Sequence, residues 1–258
     1  MNTMVTAVRR QEADLEAIRE FSDAISTRVD DLFIDRAQLR AAAKSAAIRS
    51  LIDDLTRNPD TAGECISELL GCSNLSRRSQ RELLVVAEVD ELASALTALA
   101  PSALSLTERT SPMRVLCQRV GEKVADLPFE FAHFADPNGT PLLSRWVFDP
   151  DTESGALALI CNEGVDLYGA DLDERAAKTA SVIAYLHSTM LGGRVRWADS
   201  GPWSMDIFLG LVYGVYMTSV LEMRMSKEFT KILPNLGELA ERVLGIYESK
   251  GGARANRR

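Results

Sequence analysis

The chain is poor in the residue types that announce chemistry. Its 258 residues include two histidines, four cysteines and three tryptophans. Cys65, Cys72, Cys117 and Cys161 are scattered, with no C-x-x-C pair. A structural zinc site needs clustered ligands and a disulfide scaffold needs a cysteine-dense chain, so neither is expected. Four such thiols read as small, reduced hydrophobes in a cytoplasmic protein. Positive charge is also in deficit: the net charge is -8. A general nucleic-acid binder needs a basic surface for its phosphate contacts, and this chain does not supply one.

Several signatures are missing outright. No phosphate loop ending in Gly-Lys-Ser/Thr, no G-x-G-x-x-G, no G-x-S-x-G elbow and no H-E-x-x-H occurs. The reading therefore leans away from an enzyme, and no cofactor or metal is expected. Met1 to Glu20 contains no apolar core of a secretory signal. Long apolar runs are absent too. Thr179–Gly193 and Ile207–Leu221 carry no Asp, Glu, Lys or Arg, but each is fifteen residues. A bilayer core asks for about twenty. Two buried helices of a soluble core are the expectation, with a membrane-inserting hairpin tipped by Arg194, Arg196 and Trp197 as the alternative.

What is present is helical pattern. Residues 1–127 hold only Phe21 and Phe33 among aromatics and are rich in Ala, Leu, Glu and Arg, which favour helices. Leu15, Ile18, Ile25, Val29 and Leu32 recur at three- and four-residue steps with one gap at Ser22, a narrow near-heptad seam. A second helix is expected from Arg36 to Arg57 with Leu39, Ala43, Ala46, Leu51 and Leu55 inward, stopped by Asn58-Pro59-Asp60. Asp60 then caps a short helix ending near Gly71. Ser79 and Glu82 suggest a capping box for one running to about Ala100, and Ser111-Pro112 opens one reaching Leu127.

The remainder, 128–249, changes character. Leu142–Asp149 and Ala156–Cys161 flank the turn-rich Pro150–Gly155 and read as a β-hairpin. Helices are expected from Asp171 or Asp173 to Met190, from Met205 to about Met225, and from Asn235 to Ser249. The expected class is mainly α (α-rich α+β): a multi-helix N-terminal region, a small β-hairpin, then apolar C-terminal helices. Residues 250–258 form a basic flexible tail carrying Arg254, Arg257 and Arg258.

Three sets of residues are candidates for function. The N-terminal seam, with Gly210 and Gly214 four apart in the second uncharged stretch, suggests helix-to-helix assembly. Glycines so spaced let another backbone come close, here expectedly the Ala176-Ala180-Ala184 face. Glu130, His133 and Asp136 bring proton- or metal-competent groups within seven residues, at what reads as a loop edge. The Arg194–Trp197 tip and the tail could touch an anionic membrane or nucleic acid through charge. The leading expectation is a cytoplasmic helical protein–protein interaction or assembly protein, homo-oligomeric or binding another protein. The alternatives are a scaffold peripherally binding membrane or nucleic acid, and an enzyme or small-molecule sensor using Glu130, His133 and Asp136.

Overall fold

A computed structural model describes residues 12–193, 201–224 and 234–247. Among the described residues the chain forms eleven α-helices and no strand. They are α1 (Leu15–Ser26), α2 (Asp31–Arg57), α3 (Ala62–Gly71), α4 (Arg77–Val86), α5 (Val89–Thr97), α6 (Leu106–Val120) and α7 (Leu127–Ala135), followed by α8 (Ala156–Ile160), α9 (Leu172–Gly192), α10 (Ser204–Arg224) and α11 (Leu236–Val243). The mainly α class holds; the β-hairpin does not.

Only a single bridge, Asp149 to Ser154, remains where the hairpin was expected, and Ala156–Ile160 is the helix α8. Ala156, Leu157 and Ile160 are buried at helical spacing, and alanine and leucine are strong helix formers. Gly155 permits the turn before it: its φ is +117°, and a Cβ there would stand 2.7 Å from the Val147 carbonyl oxygen.

Helix ends follow local chemistry. Asp14, Asp30, Ser76, Ser105, Asp171 and Asn235 each accept a backbone N–H of the following first turn. The expected first helix is interrupted at residues 27–30, where Asp30 starts α2. Ser79 lies inside α4, one turn beyond its true cap. α6 likewise begins at Ser105, whose capping box with Glu108 outcompetes Ser111, and it runs through Pro112. Glu108 and Pro112 are both exposed, so water can reach the carbonyl that proline leaves without a donor.

One buried apolar cluster runs from Ala13 to Ile246. α2 packs on α3, α5 and α7, while α6 packs on α4, α5, α7 and α9. α10 lies against α1, α2, α8 and α11. Helices on both sides of the 127/128 composition change therefore share the core. α10 is the described helix with the length and apolarity to cross a membrane, yet 56% of the Ser204–Leu221 window is buried within the chain, as in a core helix.

The α2 register differs from the expected one. Phe33, Ile34, Ala37, Ala41, Ile48, Ile52 and Leu55 face inward with Lys44 and Ser45. Leu39, Ala43 and Ala46 face solvent. Alanine lines both faces of this 27-residue helix, so periodicity identified a stripe without saying which one the core takes.

Candidate functional site

The segment from Glu130 to Asp136 is not a loop edge: α7 covers all but its last residue, and Glu130 to Ala135 are buried. Pro128 occupies the first turn, where its missing N–H costs nothing. Each candidate side chain is matched by a partner from another element. The Glu130 carboxylate takes Lys44 Nζ of α2 at 2.5 Å and the Asn74 backbone N–H at 3.0 Å. Lys44 also donates to the Leu244 carbonyl at 2.9 Å and lies 4.1 Å from the centre of the Phe134 ring. Beside it, Ser45 Oγ donates to the Phe134 carbonyl at 2.7 Å.

His133 Nδ1 stands 2.8 Å from the Thr140 carbonyl oxygen, which fixes the proton on that nitrogen. Its Nε2 is 3.4 Å from Asp206 Oδ2 of α10, close enough for charge attraction but without hydrogen-bond alignment. The imidazole meets Phe134 and Trp203 edge-on at centroid distances of 5.2 and 5.7 Å. Asp136 accepts the Gly139 N–H at 3.1 Å and stands 3.7 Å from the Arg109 guanidinium. Arg109 is buried and donates to the Leu99 carbonyl at 2.7 Å. Burial depresses its pKa and the Asp136 charge opposes that.

This arrangement ties α7 to its neighbours through buried charge. Glu130 and His133 lie in α7 and Asp136 just past its end, but their partners draw them toward α2, α10 and α6 in turn, so they do not converge on a common point. Among the described residues no three His, Cys, Asp or Glu side chains are grouped to hold a metal ion.

The pair of His133 and Asp206 has a consequence for stability. Burial is the largest influence on the imidazole and pushes its pKa down. The Asp206 charge and the Thr140 carbonyl push up, and the balance lies above the ordinary value. The unfolded imidazole titrates near 6.5, so the stabilisation is complete below about that pH and fades as pH rises through the raised folded value. Urea unfolding from about pH 6 to pH 9 should show wild type losing stability relative to Asp206→Asn across that window. Parallel pH profiles for the two proteins would mean that His133 stays neutral throughout.

The assembly residues are also dispersed. Ile18, Ile25 and Val29 are buried in the chain's own core, where α1 packs on α8 and α10; Leu15 and Leu32 are exposed. The seam of α1 therefore closes this fold rather than facing a second molecule. Gly210 and Gly214 do admit a close helix crossing, but the neighbour is α11. A Cβ at Gly210 would lie 3.4 Å from Leu244 Cδ1, and one at Gly214 would lie 2.8 Å from Leu236 Cδ1. Ala180 and Ala184 of the expected partner face are exposed. Arg194, Arg196 and Trp197, and the tail residues Arg254, Arg257 and Arg258, lie outside the described residues.

A cleft of about 330 Å³ opens beyond α7, between α6, residues 143–151 and α9. Asp126, just before α7, accepts the Arg145 backbone N–H and Nε at 3.3 Å, and Arg145 also reaches Glu122 at 3.0 Å. Burial raises the Asp126 carboxyl pKa despite Arg145. Burial likewise pushes the Cys117 thiol in the cleft wall up to about 12, so it is protonated and no nucleophile. Sequence reasoning missed this cleft because its charges come from positions as distant as Arg114 and Arg175, with no motif spacing to join them. Comparison of the chain with protein-family models, with curated proteins and with solved structures finds no match.

Proposed function

We propose that this chain is a helical assembly protein that pairs with a second copy of itself through the outer face of α2. The observation that carries the reading is an exposed apolar stripe. Leu32 and Leu39 are 75% and 72% exposed, and Ala42, Ala43 and Ala46 continue the stripe toward the helix C-terminus. Leu32, Leu39 and Ala46 stand seven residues apart, the spacing of a helix-packing seam. The small residues at its centre allow close approach of another helix.

Charges in and at the end of the stripe favour a second copy as the occupant. Asp35 and Arg49 lie seven residues either side of Ala42. Both are exposed, and neither forms an ion pair among the described residues. An antiparallel pairing about a two-fold axis at Ala42 sets Asp35 opposite Arg49 of the other copy, twice, and lays Leu39 over the small Ala43–Ala46 surface. A two-fold interface needs that kind of self-complementarity. The four free thiols support a reducing, cytoplasmic setting for the assembly.

Light-scattering mass on a sizing column tests the reading. Wild type should elute at twice the 28.3 kDa of the chain, and Leu39→Asp should elute as a folded monomer. A wild-type monomer, or a Leu39→Asp protein that remains dimeric, would sink it.

A further inference from the structure

Asn138-Gly139 is the single Asn-Gly pair in the sequence, and both residues are exposed in the turn that follows α7. Asparagine is a thermolabile residue, most of all before glycine, which puts no side chain in the way of its own backbone nitrogen. That nitrogen can attack Cγ of Asn138. A C–N bond forms, ammonia leaves, and a cyclic succinimide results. Water then opens the ring at either carbonyl, giving aspartate or isoaspartate at position 138. In balance the chain takes up water and releases ammonia, and no oxidant or reductant is involved.

The turn withholds the nucleophile that this step requires. The Gly139 N–H is shared by two acceptors on Asp136, Oδ1 at 3.1 Å and the carbonyl oxygen at 3.3 Å. The Thr140 N–H donates to the same carbonyl at 2.9 Å, so one residue pins the turn three times. Attack needs the Gly139 nitrogen to give up its proton, and negative charge there is opposed by the adjoining carboxylate. Asp136 is steered in turn by the buried Arg109 guanidinium, 3.7 Å away. The same contact demands glycine, since a Cβ at position 139 would run into the Asp136 carboxylate. The residue that makes the pair labile is the one that lets its guard sit close.

We propose that Asn138-Gly139 is a latent modification site, open to succinimide formation and isomerisation, and that Asp136 is the positioning residue that holds it closed. What lies just beyond gives the modification its effect. Thr140 is buried, and its carbonyl oxygen stands 2.8 Å from His133 Nδ1. Isoaspartate at position 138 routes the main chain through an extra methylene and displaces that carbonyl. A covalent change on the surface thereby loosens the buried contact of α7 with α10. None of this depends on pairing through α2.

The test incubates the full chain and follows asparagine, aspartate and isoaspartate at position 138 by peptide mapping. The same chain unfolded in urea sets the unguarded rate. Folded wild type should react at least about tenfold more slowly than that reference. Asp136→Ala, with native circular dichroism, should react at least about tenfold faster than folded wild type, the effect of losing one charge-assisted hydrogen bond. Asp136→Asn keeps an oxygen acceptor without the charge and should fall between the two. It creates no new labile pair, because Pro137 has no N–H. If Asp136→Ala does not fold, Asp136→Asn decides, and it should still react faster than wild type. Chains carrying isoaspartate at position 138 should melt below unreacted ones. A folded wild type as reactive as the urea-unfolded chain would overturn the proposal. So would folded Asp136 variants that react no faster than wild type, or isoaspartyl chains with an unchanged melting temperature.

Discussion

Replacing Glu130 by glutamine is expected to cost about 3–5 kcal/mol, because it leaves the Lys44 ammonium buried without its counter-charge. Both side chains are almost fully enclosed. The lost carboxylate is also the acceptor for the half-buried Asn74 backbone N–H, so two donors lose strength together. For a chain of this size the drop in melting temperature should be roughly 6–20 °C. Around the pair there is little room to relax. A Cβ at Gly245, whose φ is +64°, would stand 2.5 Å from Lys44 Nζ and 2.9 Å from Glu130 Oε1.

The cause can be separated from simple loss of packing. The double variant Lys44→Met, Glu130→Leu removes both charges and should regain most of the stability, since apolar residues of similar volume often replace buried ion pairs well. It should not regain all, because the Asn74 N–H and the Leu244 carbonyl lose partners. Urea unfolding of wild type, Glu130→Gln and the double variant measures this. A double variant as unstable as Glu130→Gln would show that the uncompensated charge is not what matters.

Trp203→Ala should be comparably damaging, about 3–5 kcal/mol by analogy with other buried large-to-small aromatic changes. Trp203 is buried at the start of α10 and stacks on Phe134 of α7 at 5.3 Å with the rings 20° apart. It also presents its face or edge to His133, so truncation opens a cavity next to a buried charge pair. The backbone N–H of residue 203 is held by Gln38 Oε1 at 3.1 Å, which keeps the chain from collapsing into that space. Trp203→Phe should recover part of the loss. If Trp203→Ala lowered the urea-unfolding free energy by less than about 1 kcal/mol, the contact of α7 with α10 would not be a principal tie of this fold.

These two variants test features that the order of residues only half disclosed. The approximate places of most helices were legible. Asn58-Pro59 ends α2 as expected, and Asp171 and Asn235 cap α9 and α11 where they were read to do so. Caps and proline act within one turn of chain, so their chemistry is present in a short string. The early starts of α4 and α6 are failures of the same kind of reading, since Ser76 and Ser105 were competing caps only a few positions away, and the expected single helix to Ala100 is split where Glu88 caps α5.

The candidate site was legible as a composition and illegible as a geometry. Glu130, His133 and Asp136 are close in sequence, and nothing there reveals that Lys44, Asp206 and Arg109 neutralise them from 86, 73 and 27 positions away. Lys44 itself would ordinarily be assigned to solvent. A buried charge is allowed only where a distant opposite charge and backbone groups meet it, which is a property of packing.

Local pattern thus settled that this is a helical protein and where several of its helices stop. Tertiary packing decided which face of α2 is core and which is bare, which helix Gly210 and Gly214 admit, and whether Ala156–Ile160 coils or extends. Apolar periodicity reports a stripe along one segment, and many pairings of stripes would bury similar area. The choice among them depends on fit and on bringing each buried charge to its partner, and both involve residues far apart in the chain.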